Sequence, residues 1–439
     1  MGNRVKGKPS RATLIGVIAG LLLFGSFPVP LFPFAPVPLV STETREGRLA
    51  VFDDAWSRIN ERYYDRKFHG LDWEAQRTTF RALAAESHSG PEFYAVLRRL
   101  IASLNDPHTR VFAPEEKFDW WRPRFVSVGV SIAEVAGLPT IVQVETGSAP
   151  QRAGVRVGDL LEAVDGEAVS SLLKKRLDDL PEPAGASSRF RVFAKLLDGL
   201  PETSVEISWK GKDGKKKSAR FVRHWEQREL GLRGGREANI AVIEIDAFTR
   251  PIAYTFTHLL KAKLAGARGV IIDLRNNGGG DAEAMADVAS AFLGEKVGLG
   301  QFTDRSGSSF EMSTRLKSPF MPERISQTRL PLIVLTGPRT ASASEIFVAA
   351  LRASKRATIL GTETCGCVLA VRTRHTLPDG GLLDVSELDY QTPAGDHLEG
   401  RGIKPDEIVL IERSDLYSGR DRAMDLAISK LTRVVASAH

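Results

Sequence analysis

The chain has 439 residues, 42% of them hydrophobic and 26% charged, with no dominant low-complexity tract; this excludes a disordered or fibrous protein and predicts about two to three globular domains. The formal charge of +6 is misleading, because Arg4, Lys6, Lys8 and Arg11 precede any acidic residue and supply four of the six charges. The remainder gives no reason to expect nucleic acid as a partner.

In chain order, the basic start leads into residues 12–27, sixteen largely apolar positions. As a helix they would reach about 24 Å, short for a bilayer crossing. A run rich in proline follows to Val40 with no small-x-small cleavage site. Residues 1–40 are therefore expected to be a signal segment with a Pro-rich linker, favoured as an uncleaved anchor over a cleaved leader. The positive flank stays inside and the bulk of the chain is exported, tethered to the membrane by this segment.

Residues 41–124 read as helical, since Phe52, Trp56 and Ile59, then Phe93, Val96, Leu97 and Leu100 recur at helical spacing. From 125 to 225 the pattern shortens to alternating runs (Val128, Val130, Ile132; Ile141, Val142, Val144) with a helical insertion near residues 170–200. The dense lysines 210, 212, 215, 216 and 217 surround Asp213-Gly214, a turn signal between strand-like runs, and read as a solvated hairpin tip. Residues 239–414 alternate mostly apolar runs (240–245, 269–274, 332–335) with helical stretches, the pattern of an α/β core with buried strands. Residues 415–439 read as a C-terminal helix. The fold class expected is α/β multidomain: a helical N-terminal region, a β-module and an α/β core.

Within that core the apolar run Pro331-Leu-Ile-Val-Leu-Thr336 gives way to Thr340-Ala-Ser-Ala-Ser-Glu345 and then a helical pattern. Ser342 would begin a helix whose free N–H groups and positive dipole end favour an oxyanion. Taken alone, it reads first as an N-cap serine, and the rest of the chain reverses that reading.

Residues 125–223 carry Ser127-Val-Gly-Val130, a helix-like run from Gly147 to Asp159 and Val164-Asp-Gly166, and this segment resembles a PDZ domain. The resemblance implies that Val128, Gly129 and Val130 form a peptide-binding loop and edge strand, taking a polypeptide by strand addition with its terminal carboxylate at the loop. The segment 239–406 carries four ordered motifs: Ile271-Ile-Asp-Leu-Arg-Asn-Asn-Gly-Gly-Gly280, Thr340-Ala-Ser-Ala-Ser-Glu345, Lys355-Arg-Ala-Thr-Ile-Leu-Gly361 and Leu398-Glu-Gly-Arg-Gly-Ile-Lys-Pro-Asp406. It resembles the carboxyl-terminal processing protease and tricorn-like serine peptidases. Tyr63-Tyr-Asp65, Gly70-Leu-Asp-Trp73 and Asn105-Asp-Pro-His-Thr109 are similar to the helical region of that superfamily.

The resemblance implies Ser342 as nucleophile, with the N–H groups of Ala343 and Gly279 as oxyanion hole. Ser-Lys relatives carry a lysine 25 residues after the serine and a glutamine four further on; here those positions hold Cys367 and Val371. A serine hydroxyl still needs a proton acceptor. In the tricorn-like branch it is a histidine backed by a glutamate, and His108 and Glu399 resemble those positions. His397 is a rival base, and Cys367 is read as filling the space of the lysine. Cys365 and Cys367 are too close in sequence for an ordinary structural bridge, so they say nothing about compartment. No zinc motif and no cofactor motif is present among the eight histidines and the glycine-rich loop. The expected activity is that of an exported serine endopeptidase acting on polypeptides. The alternative, motivated by the missing lysine and glutamine, is a peptide-binding scaffold that has lost catalysis.

Overall fold

A computed structural model describes residues 40–437 apart from 118, 120, 121, 179, 181–185, 321 and 322. The expected signal segment therefore lies outside the described residues, save for Val40. Among the described residues no helix is long and apolar enough to cross a membrane.

Three helices open the described chain, Arg45–Arg62, Trp73–Glu86 and Gly90–Ala102, and a short polar side chain starts each one: Thr44, Asp72 and Ser89 accept from the N–H groups of Gly47, Ala75 and Glu92. Their apolar stripes meet in a core containing Phe52, Trp56, Ile59, Phe93 and Leu97. Val111, Leu383 and Val385 belong to the same core. The strand Arg110–Phe112 pairs antiparallel with Leu382–Gln391, Arg110 opposite Asp384. This long-range pair joins the helical region to a sheet of the α/β core and delivers the loop before Arg110, with His108, to that core.

The next module is an antiparallel sheet ordered Val130–Val135, Leu138–Val144, Leu160–Val164, Ser204–Lys210, Lys216–Val222. Ile132, Ile141, Leu161, Val205, Ile207 and Trp209 fill one face together with Phe193 of the helix Ala186–Ala194. The lysine cluster occupies the last hairpin, where Gly214 turns at φ +74° and most of the tip is exposed. The chain enters and leaves through the strand pair Arg124–Ser127 and His224–Gln227.

The core sheet runs Leu232–Glu237, Ile240–Ile245, Gly269–Asp273, Leu332–Thr336, Thr358–Gly361, Glu407–Ile408, parallel throughout except for the first pair. Gly269–Asp273 and Leu332–Thr336 are buried at every residue because both faces are covered. Val270 and Ile272 face the helices Arg250–Leu264, Ala282–Leu293 and Ala343–Ala353, whereas Ile271 faces Ala427 and Leu431 of the closing helix. That closing segment is not one helix: Gly419, at φ +66°, ends Arg413–Ser418 before Arg422–Ser437 begins.

Candidate active site

The two central parallel strands, Gly269–Asp273 and Leu332–Thr336, lie side by side, and each runs at its C-terminal end into a loop and a helix. Ligand sites of open α/β sheets form at such strand ends. The first loop is the glycine run ending at Gly280; the second carries Ser342. Thr340, fully buried, ties them: its hydroxyl donates to the Leu274 carbonyl (2.8 Å) and accepts from the Gly337 N–H (3.0 Å). The Ala341 N–H donates to the Asn277 carbonyl (3.1 Å).

Ser342 precedes the helix Ala343–Ala353 at φ +57°, ψ −124°, a conformation L residues avoid. Its N–H donates to the Cys367 carbonyl (2.7 Å) and to Glu345 Oε2 (3.2 Å). Gly279 lies against it at φ +99°, and a Cβ there would sit 2.7 Å from Ser342 Cβ. Only glycine allows that approach. The Ala343 N–H, at the first helical position, has no acceptor among the described residues and is available to an oxyanion. The Gly279 N–H, expected as the second donor, is instead engaged by Asn277 Oδ1 (2.9 Å), leaving Asn277 Nδ2 a buried donor without a partner.

Glu345 is the principal residue that the sequence reading missed. It is fully buried and accepts from four donors: the Thr364 hydroxyl (2.6 Å) and the N–H groups of Gly366 (2.7 Å), Cys367 (2.9 Å) and Ser342 (3.2 Å). Burial pushes its carboxyl up to about 7 against the pull of those donors. The signal available in the sequence was a glutamate three residues after a serine before an apolar helix, the capping-box spacing.

Cys365 and Cys367 form a disulfide across one residue, correcting the expectation that they are too close to bridge. Gly366 between them, at φ +67°, makes the tight turn that brings the two sulfurs together. The backbone of Cys367 is part of the site: its carbonyl and N–H hold Ser342 and Glu345. The helix Ala186–Ala194 reaches this loop, with Ser187 Oγ 3.1 Å from Cys365 Sγ and Arg191 Nη1 3.7 Å from Cys367 Sγ. Glu399 Oε2 accepts from the N–H groups of Val368 (2.6 Å) and Leu369 (3.1 Å). Burial raises its carboxyl to about 8, opposed by the Val368 N–H and reinforced by the charge of Asp106.

His108 belongs to a loop fastened by Asp106, which accepts from the N–H groups of His108 (2.8 Å) and Thr109 (3.2 Å) and from the Thr109 hydroxyl (2.6 Å). Thr109 Oγ1 in turn accepts from the Ser386 N–H (3.1 Å). The ring is mostly enclosed, at 17% side-chain exposure, and Nδ1 is buried without a hydrogen bond, 4.0 Å from Asp106 Oδ1. Burial pushes the imidazole down to about 4, against the nearby Asp106, so it is neutral at pH 7. Among the described residues no hydrogen bond joins His108 to Ser342 or to Glu399. The groups nonetheless share one electrostatic neighbourhood: Arg191 is felt by His108, and Asp106 by Glu399. His397 points elsewhere, paired with Asp389 (3.2 Å) and Gln391 (2.7 Å) at an exposed position.

In the β-module, Val128 is buried and Val130 begins the strand Val130–Val135, which has one strand neighbour. Gly129, at φ +84°, gives its N–H to Ser127 Oγ (2.8 Å). On the other side of the strand Arg189 pairs with Glu134 in a two-point contact (2.7 and 3.2 Å). Glu145, His224 and Glu226 gather beside this loop, their ligand atoms within 4.8 Å of one another. This is the group among the described residues that could hold a cation; burial first, then a hydrogen bond shared with Glu145 and the charge of Glu145, raise the Glu226 carboxyl.

Residues 239–409 match the model of peptidase family S41, and residues 45–102 that of the tricorn protease C1 domain. The chain is 28% identical to the chloroplastic C-terminal processing peptidase of Tetradesmus obliquus, covering 81% of this chain and 76% of that protein. It is 27% identical to the carboxyl-terminal-processing protease of Synechocystis sp. over 90% and 89% of the two chains. Among solved structures, the photosystem II D1 C-terminal processing protease aligns at 25% identity with TM-score 0.50, covering 83% and 93%. Mature CPAF complexed with lactacystin shares the fold at TM-score 0.68 and 14% identity, covering 90% and 99%. With the serine turn, the abutting glycine loop and these matches together, the chain is a serine-type peptidase similar to the carboxyl-terminal-processing and tricorn proteases.

Proposed function

We propose that this peptidase cuts exported polypeptides with Ser342 as nucleophile and His108 as general base. The observation that carries the reading is the Ser342 turn, held in a strained conformation between Gly279 and the Cys367 carbonyl with the Ala343 N–H free. Ser342 Oγ attacks the scissile carbonyl carbon, and its proton passes to His108 Nε2. Asp106, beside Nδ1, stabilises the imidazolium that forms and orients the ring. The oxyanion takes the Ala343 N–H, and the Gly279 N–H once that turns from Asn277. His108 then returns the proton to the leaving amine, and water repeats the sequence on the acyl-enzyme. Glu399 acts on the other side of the site by holding residues 368 and 369.

The PDZ-like module presents the edge strand Val130–Val135 to an extended polypeptide. Glu145 and Glu226 beside Gly129 disfavour a terminal carboxylate there, so strand addition supplies the affinity. The basic and apolar residues 4–27 support export with membrane tethering, and the disulfide suits an oxidising compartment.

A second reading, an inert peptide-binding scaffold, is favoured by one observation, the lack of a hydrogen bond between His108 and Ser342 among the described residues. Fluorophosphonate labelling and cleavage of an unfolded protein by the full chain, compared with Ser342→Ala and His108→Ala, separates the two. Labelling and cleavage lost in both variants support the peptidase. A wild type that does neither across pH, with peptide present, supports the scaffold.

A further inference from the structure

Cys365 and Cys367 are the only cysteines of the chain, and their bond closes the loop on which the nucleophile rests. We propose that this pair is a reversible dithiol–disulfide site through which thiol redox state sets the reactivity of Ser342. The inference rests on the peptidase reading above.

Residues 364–369 supply contacts in three directions. The Cys367 carbonyl receives the Ser342 N–H (2.7 Å), the Gly366 and Cys367 N–H groups fill Glu345 (2.7 and 2.9 Å), and the Val368 and Leu369 N–H groups fill Glu399 (2.6 and 3.1 Å). The Gly366 carbonyl also accepts from the Gly400 N–H (2.8 Å). A Cβ on Gly366 would lie 2.6 Å from the Gly402 nitrogen, so the turn has little room to adopt another shape while it is docked. Joining the two sulfurs fixes the backbone on both sides of Gly366 at once. Opening the bond frees the acceptor of Ser342 and two of the four donors of Glu345 together.

The surroundings suit exchange. Cys365 is partly exposed, whereas Cys367 is 3% exposed, so an incoming thiolate meets Cys365 Sγ first. Attack there forms a mixed disulfide with Cys365 and expels Cys367 as thiolate. That sulfur lies 3.7 Å from Arg191 Nη1 and 3.7 Å from Ser187 Oγ, and a cation beside a leaving thiolate favours its departure. With a dithiol as reductant, its second thiol attacks the mixed disulfide and leaves as the cyclic disulfide. Two electrons pass to the protein, and the two protons of the dithiol end on Cys365 and Cys367. Ser187 and Arg191 belong to the helix Ala186–Ala194, so this helix of the β-module contacts the switch itself.

The test uses the full chain purified without reductant. Maleimide trapping under native conditions should find no free thiol before dithiothreitol and two after it. Fluorophosphonate labelling of Ser342 should slow roughly tenfold on reduction and recover on reoxidation with oxidised glutathione. The Cys365→Ser/Cys367→Ser variant should label at the slow rate and ignore dithiothreitol. Two thiols trapped before reduction, or a labelling rate unchanged or raised by it, overturns the proposal. Should the variant fail to fold, reduction of the wild type decides alone. Equal labelling in both states overturns this inference and leaves the peptidase standing. Absence of labelling in both states, with thiols trapped as expected, removes the peptidase reading and this inference with it.

Discussion

The two halves of the site are built in opposite ways. The serine turn is held mostly by neighbours within its own α/β core: Ser342, Gly279, Glu345 and the loop at Cys367 interlock through short hydrogen bonds, several of them fully buried. The histidine loop comes from the N-terminal helical region, delivered by the pairing of Arg110 with Asp384, and its ring nitrogen Nδ1 is left without a partner. One half already offers the Ala343 N–H to an oxyanion, while its Gly279 N–H is held by Asn277; the other brings a neutral imidazole that, in the proposed mechanism, completes its contacts when substrate binds. Preorganised dipoles need no rearrangement as charge develops, whereas a base in a resting enzyme commonly sits long of its partner.

The comparison is broken most severely by His108→Ala, which should lower kcat/KM roughly 10²- to 10⁴-fold while leaving the fold intact. A loss below tenfold in steady-state cleavage would mean that the base lies elsewhere. In the wild type the acid limb of the rate should fall near pH 4 and not near the ordinary histidine value, because burial holds the imidazole down to about 4 and only its neutral form accepts the proton. A limb near pH 6.5 would place the working histidine in a wetter setting.

Gly279→Ala tests the preorganised half. Its Cβ would press on Ser342 Cβ at 2.7 Å and its φ of +99° strains any L residue. Labelling of Ser342 should drop roughly 10²- to 10³-fold, the scale of a lost oxyanion donor. Labelling at the wild-type rate would show that the glycine loop does not shape the hole.

Glu345→Gln sharpens the comparison through stability. The amide turns its NH₂ toward donors that need an acceptor, costing about 1–3 kcal/mol, read by urea unfolding. The carboxyl is raised to about 7 in the fold, so its contribution is full below the ordinary value and is lost as pH rises through about 7. The wild type should therefore lose stability across that window and the variant should not. Matching slopes would remove Glu345 from the account.

The smallest effect belongs to Arg189→Ala. Arg189 is 43% exposed, so breaking its pair with Glu134 should cost no more than about 1 kcal/mol of stability. Peptide affinity of the β-module should change by more than that, since Arg189 ties the helix Ala186–Ala194 to the edge strand Val130–Val135. Fluorescence titration with an unfolded peptide checks this.

Much of this was legible before any coordinates. Apolar runs at 240–245, 269–274 and 332–335 are buried strands because only continuous hydrophobicity suits a sheet covered on both faces. The Asp213-Gly214 hairpin follows from local turn chemistry, and the helices at 45–62 and 90–102 from apolar stripes at helical spacing. The boundary of the C-terminal helix was misread because Gly419 acts as a stop only where the chain takes φ +66°. The cysteine pair was misread because a two-residue spacing normally forbids bridging, and Gly366 permits it here.

The sequence by itself determined the order of elements, the family motifs and the Ser342 turn, since each depends on residues within a few positions of one another. Only the tertiary structure decided that Glu345 is the buried acceptor of the site, that Asn277 takes the Gly279 N–H, and that the helix carrying Arg191 meets the Cys365–Cys367 bond. Those contacts span gaps in sequence that no local propensity encodes. They are fixed by the strand pairing and burial that bring distant loops to the ends of the same sheet.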